Sequence, residues 1–205
     1  MQNELKQNNM AYMRQEHGLT VSKRGITKII VHCSATPDGR DVTAADIRKW
    51  HMAKDWMDIG YHYVIRLDGT VEEGRNINLS GAHTKGYNAG SIGICYIGGC
   101  DENLEPKDTR TEPQMYALYN LLKDLTKVYK NASLHGHNEF SRKACPSFSV
   151  KDEYNSLTLK QEYKMADEFK MDDSFADFVN DLTDDKANDN AVCGIDDDDC
   201  EACGA

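Results

Sequence analysis

The run Ile26-Thr27-Lys28-Ile29-Ile30-Val31-His32-Cys33 decides how this chain folds. It is mostly apolar and rich in β-branched residues, and it lies between Gly25 and the polar stretch Ser34 to Asp41, the pattern of a buried strand. His32 falls at the end of that strand, where it opens onto a loop. Such positions collect functional side chains, although a core imidazole with both nitrogens satisfied fits the pattern equally well.

Outward from this strand, the chain alternates helix and strand signals. Thr43-Ala44-Ala45-Asp46 has the form of a capping box, with Asp in place of Glu, and Ile47, Trp50, His51 and Lys54 follow at helical spacing, which predicts a short helix with Ile47 and Trp50 facing inward. Tyr61 to Leu67 and Thr70 to Gly74 flank Asp68-Gly69, a strong hairpin signal. If Tyr61 and His62 both belong to the strand they point to opposite faces, which makes His62 a structural or supporting residue. The glycine-rich stretch Gly81 to Gly90 has no Gly-Lys-Ser/Thr ending and is not a phosphate loop. Ser91 to Gly98 reads as a second buried strand, in which Cys95, with Cys100 just beyond, is expected to serve packing. Thr111 and Pro113 open a longer helix that places Met115, Leu118, Leu122, Leu125 and Tyr129 on its inner face and ends near Asn131.

Strands alternating with two helices and joined by a hairpin predict an α/β fold: a single domain over 26–155 with a central mixed β-sheet flanked by helices. Residues 1–25 read as a flexible or loosely docked arm. Residues 156–205 read as an acidic C-terminal extension, with a helix between Leu157 and Val179 and disorder from Asp181 onward. The net charge of −10 belongs to that extension, because residues 151–205 hold 17 of the 34 acidic side chains and only 5 of the 24 basic ones. The near-neutral body has no Lys/Arg run, so no nucleic-acid partner is expected.

The first 25 residues hold no apolar core of the length a secretory signal needs, and no stretch approaches a membrane span, so no membrane insertion is expected. The expected place of synthesis is the cytoplasm. The seven cysteines then read as thiols or metal ligands before disulfides, with Cys193, Cys200 and Cys203 bunched at the end.

One irregular stretch, His137-Asn138-Glu139-Phe140-Ser141-Arg142-Lys143-Ala144-Cys145-Pro146, concentrates reactive side chains. His137 and Cys145 are too far apart for a zinc-finger loop and do not share one helical face. Held on a loop, they supply two corners of a tetrahedral zinc site, and a third protein ligand from elsewhere leaves the fourth corner for water. The competing reading is a buried free cysteine beside a surface histidine.

Several motifs, taken in order, carry a resemblance: Val31-His32-Cys33-Ser34-Ala35-Thr36, Gly60-Tyr61-His62-Tyr63, Asp68-Gly69-Thr70-Val71, His83-Thr84-Lys85-Gly86-Tyr87-Asn88, Ser91-Ile92-Gly93-Ile94, and His137 with Lys143-Ala144-Cys145-Pro146-Ser147-Phe148. The chain resembles the zinc N-acetylmuramoyl-L-alanine amidases, a family that includes a small bacteriophage amidase and the animal peptidoglycan recognition proteins. The resemblance covers roughly 26 to 155. It implies cleavage of the amide between the lactyl group of N-acetylmuramic acid and L-alanine of the stem peptide.

By that likeness His32, His137 and Cys145 match the three Zn2+ ligands, and Tyr61 and Lys143 match the two catalytic positions. His83 is a candidate for substrate contact, with Lys85, Tyr87 and Asn88 behind it. The implied partner is peptidoglycan or a muropeptide, met after release or export from the cytoplasm. Two other roles compete with plain catalysis. One is a non-catalytic muropeptide-binding module, against which the presence of Cys145 counts. The other is a second function, inhibition of a phage RNA polymerase, as associated with the phage relative, through a protein partner at the arm or tail.

Overall fold

The computed structural model describes residues 19–158. Most of the arm, most of the acidic extension and its three cysteines therefore lie outside the described residues. The first strand, β1 (Lys28–Cys33), is followed by the short β2 (Thr36–Pro37) and by helix α1 (Ala44–Met52). Then come the hairpin β3 (Tyr63–Ile65) and β4 (Val71–Glu73), strand β5 (Ser91–Tyr96), the short β6 (Gly99–Cys100), the long helix α2 (Glu112–Val128), strand β7 (Ser133–Gly136) and the short helix α3 (Val150–Tyr154).

Five strands form one sheet in the order β4-β3-β5-β1-β7. All neighbours are parallel except the β3–β4 hairpin, so the sheet is mixed, and β2 and β6 make a separate parallel pair. β1 therefore has a strand on each side, and Ile29, Ile30, Val31 and His32 are fully buried.

Period-2 alternation divides the sheet into two faces. One face, carrying Ile29, Val31, Ile65, Ile92, Ile94 and Tyr96, packs against Leu118, Leu121, Leu122 and Leu125 of α2. Each such side chain contributes about 1.5–3 kcal/mol relative to leaving it in water. The other face carries Val64, Cys95 and Ile97 against Val42, Ala44 and Ile47 of α1 and its preceding loop, together with Ile59 and Tyr61. The side chain of His32 belongs to this second face, one residue away from Val31 and Cys33.

Three local expectations change. Met115, expected on the inner face of α2, is 39% exposed. Gln114 takes the inward place in that turn and donates from Nε2 to the carbonyls of Ile65 and Ile97, at 3.2 and 2.8 Å. Trp50 is only partly buried, at the margin of the α1 cluster, with the Arg40 guanidinium 5.4 Å over its ring. β3 begins at Tyr63, leaving Tyr61 and His62 just ahead of the strand. The end of the arm is tied to the body: Ser22 Oγ donates to the Ile77 carbonyl at 2.8 Å, and Arg24 donates from Nε to the same oxygen and from its terminal nitrogens to Asn88, Ala89 and Ser91 carbonyls.

Candidate active site

Strand register brings the two distant histidines together. β1 and β7 run parallel with Val31 opposite Gly136, so the next residue on each chain, His32 and His137, follows side by side as β7 turns into a short 3-10 segment, His137–Glu139. Neighbouring strands lie about 4.8 Å apart, and the two imidazole centroids are separated by 4.6 Å.

Cys145 reaches the same place from the loop after that turn. The loop is pinned at three points: Tyr96 Oη donates to the Pro146 carbonyl at 2.7 Å, Ser147 Oγ donates to the Gly99 carbonyl at 2.8 Å, and the Arg110 guanidinium lies 3.3 Å over the Phe148 ring. Arg110 is itself held by Asp108 and Glu153, each at 2.7 Å.

The donor atoms of His32, His137 and Cys145 all lie within 4.8 Å of one another, and all three residues are buried. The Cys145 sulfur is 3.8 Å from Nδ1 of His32. Two ligands on a tetrahedral zinc, at about 2.3 Å for sulfur and about 2.0–2.1 Å for nitrogen, stand about 3.6 Å apart. The observed separation fits within a few tenths of an ångström. The Cys33 amide donates to Cys145 Sγ at 3.3 Å, a contact that favours the thiolate a metal requires.

Tyr61 is 1% exposed, with its ring 5.2 Å from that of His32. Its backbone is fixed by close packing: the Arg75 amide donates to the Tyr61 carbonyl at 2.7 Å, and a Cβ on Gly74 would fall 2.3 Å from that oxygen. His51, on the inner side of α1, accepts the Gly60 amide at Nδ1 (3.0 Å), and its ring lies 5.6 Å from that of Tyr61. Sequence reading left His51 without a role, although its place four residues after Ile47 marks an inward position.

His83 is also drawn inward, 1% exposed, with Nδ1 3.0 Å from Nε2 of His32. Burial first, and then the neighbouring positive potential of His32, His62, His137 and Arg24, hold its pKa well below 6.5. Asn88 turns into its own loop, its Oδ1 accepting the amides of His83 and Thr84, both at 2.9 Å. Lys85 and Tyr87 are exposed on that loop, and Tyr87 packs against Phe140 with centroids 4.3 Å apart. Lys143 is exposed two residues ahead of Cys145. His62, 1% exposed, accepts the Gly93 amide at Nδ1 (3.0 Å) beneath the sheet edge.

The structure thus gathers His32, His137, Cys145, Tyr61 and His83 around one buried point, and sets Lys85, Tyr87 and Lys143 on the surface. Three convergent donor residues on an α/β domain match the donor count of a hydrolytic zinc centre, which keeps a fourth position for water.

Comparison with known proteins gives the family. Residues 22–148 match the model for N-acetylmuramoyl-L-alanine amidase. The endolysin of Klebsiella phage KP32 is 47% identical over 125 residues, covering 61% of this chain and 83% of that protein. Among solved structures, the endolysin amidase LysCS from Clostridium intestinale URNW superposes with a TM-score of 0.55 at 29% identity, covering 68% of this chain and 85% of that one. A point mutant of the Drosophila recognition protein PGRP-LB, in complex with tracheal cytotoxin, gives 0.55 at 26% identity, over 67% and 84%. The chain belongs to the N-acetylmuramoyl-L-alanine amidase family, and its activity is the hydrolysis of an amide bond in peptidoglycan.

Proposed function

We propose that His32, His137 and Cys145 hold one zinc ion, and that the enzyme uses it to cut between the lactyl group of N-acetylmuramic acid and L-alanine. The observation that carries this is the convergence of one thiol and two imidazoles within 4.8 Å of one another in a buried place, with the Cys145 sulfur 3.8 Å from His32 Nδ1. A thiolate with two imidazoles selects zinc among the available divalent ions. When bound, zinc lowers the pKa of its water toward about 7 and so makes a nucleophile available near neutral pH.

The remaining roles fall to the chain. Tyr61, beside His32, orients the water or donates to the scissile carbonyl oxygen, and the Lys143 ammonium stabilises the oxyanion that forms on the substrate. Lys143 stands on the surface two residues from Cys145, within reach of a substrate laid across the ligand loop. Lys85 and Tyr87, exposed on the loop that carries His83, supply contacts to the muropeptide. That a relative of the same fold is seen with tracheal cytotoxin supports a muropeptide as the partner.

Digestion of purified peptidoglycan by wild type and by Cys145→Ser, with zinc measured on both and products identified by mass, tests this reading. Wild type is expected to hold about one zinc per chain, as one catalytic site requires, and to release stem peptides from intact glycan strands. The variant should do neither. A wild type that cuts without zinc, or a Cys145→Ser protein that keeps both properties, overturns the assignment.

A further inference from the structure

We propose that His83 is a positioning residue that accepts the Nε2 proton of His32 and thereby fixes which nitrogen His32 turns to the metal; the proposal rests on the ligand set given above. His32 presents Nδ1 to the Cys145 sulfur, 3.8 Å away, so its Nε2 is the nitrogen left over. That Nε2 lies 3.0 Å from Nδ1 of His83, and Thr84 Oγ1 stands 3.4 Å from the first nitrogen and 3.1 Å from the second, where its hydroxyl adds a second donor to His83 Nδ1. An imidazole that gives Nδ1 to a metal carries its proton on Nε2. His83 Nδ1 must therefore be the acceptor, and its own proton lies on Nε2, which faces Ser91 Oγ at 3.3 Å. The proton order His32 Nε2–H to His83 Nδ1, and His83 Nε2–H to Ser91 Oγ, leaves each ring nitrogen with a compatible partner.

The surroundings are built to hold that ring. His83 lies in a slot floored by two glycines: a Cβ on Gly93 would fall 2.5 Å from its Cδ2, and a Cβ on Gly81 would fall 2.4 Å from the same atom. Asn88 Oδ1 clamps the His83 and Thr84 amides and so fixes the backbone from which the ring projects. A histidine used for substrate contact would need its nitrogens toward solvent. This one is 1% exposed and has both turned to protein.

Metal-bound histidines commonly donate their second N–H to a carboxylate or a carbonyl, which raises the basicity of the ligand. A neutral imidazole orients His32 in the same way while placing no negative charge behind it. The ring orientation is fixed and the charge at the metal stays closer to that of the three ligands alone.

The test combines a spectroscopic readout on wild type with zinc affinity in three variants. In long-range proton–nitrogen spectra of the zinc-loaded protein, His83 should appear as the Nε2–H tautomer. An Nδ1–H tautomer overturns the proposal, and this measurement needs no variant to fold. By chelator competition, His83→Leu, which keeps bulk and removes the acceptor, should weaken zinc binding by about 10–100-fold, the usual cost of losing such a partner. His83→Asn, which can place an amide oxygen near the Nδ1 position, should recover most of that loss. Equal affinity in wild type and His83→Leu, or equal weakening in Leu and Asn variants, overturns it. Cys145→Ser separates this from the parent reading: if that variant binds zinc like wild type, the ligand set is wrong. If it fails to bind while His83→Leu binds normally, only the role of His83 falls.

Discussion

Tyr61 is held from several sides and shows little of itself to solvent, so removing its hydroxyl alone leaves a ring that fills the same place. Its ring sits 5.2 Å from His32, and its backbone is locked between Gly74 and Arg75. On the proposed role, Tyr61→Phe keeps zinc content and fold but lowers turnover of peptidoglycan by about 10²–10³-fold, the range for losing one donor to a developing oxyanion. The check is kcat measured beside zinc stoichiometry. If activity stays at wild-type level while the variant only loses stability, by about 1–3 kcal/mol for a lost buried hydrogen bond, Tyr61 serves packing alone. At this scale His137 and Cys145 stand out in the sequence as a candidate pair, the other candidates enter through likeness to the family, and the partners of all of them appear only in the fold. His83 looks like a loop residue among glycines, and only the folded chain shows that Gly81 and Gly93 are there to receive its ring.

Elements were legible where a signal is local. The Thr43 capping box, the Thr111 and Pro113 start of α2, the Asp68-Gly69 hairpin and the apolar runs of β1 and β5 each depend on residues a few positions apart, and each forms as expected. The adjacency of β1 and β7 joins residues about a hundred positions apart, and no local pattern encodes it; in sequence it entered only through likeness to a family. Gln114 shows the same limit within one helix. Its Oε1 accepts the Thr111 amide at 3.0 Å and so completes a capping box, and its amide nitrogen also ties α2 to the ends of β3 and β5. Thr111 has a double duty too: its hydroxyl accepts the Gln114 amide at 3.2 Å and donates to the Leu67 carbonyl at 2.6 Å. Thr111→Ala removes both a helix cap and a bond to the hairpin. A loss of about 1–2 kcal/mol is expected, at the upper part of the range for a cap, read as a lower urea midpoint with an unchanged slope. A midpoint equal to that of wild type would mean that water replaces both contacts.

Across the whole molecule, the sheet face that builds the site also makes the fold sensitive to acid. His62 lies at the junction of the arm, the hairpin and β5, accepting the Gly93 amide and sitting 3.1 Å from the Leu79 carbonyl. Burial pushes its pKa down, the bond to Leu79 opposes this, and the charges of Arg24 and Arg75 add to the fall, leaving it at about 4 against 6.5 when exposed. Because the folded value is the lower one, the unfolded chain binds a proton first. The stabilising contribution is complete above pH 6.5 and is lost as pH falls toward about 4. For so buried a group this difference corresponds to about 3 kcal/mol. Lower still, Glu139 and Asp108 follow with the same sign. Burial alone would raise both, but Lys151 and His135 on Glu139, and Arg110 on Asp108, hold them below their ordinary values of 4.5 and 3.8. Metal-free protein is the right sample, since protons compete with zinc for the same imidazoles and would add a second source of acid loss. Its urea midpoint should decline steadily from pH 6.5 to 4 and more steeply below, and His62→Asn should lessen the slope of the first part of that curve, to which His83 contributes with the same sign, while starting from a lower stability. A midpoint that holds constant down to pH 5 would show that His62 is protonated in place, with the arm moving to admit the charge.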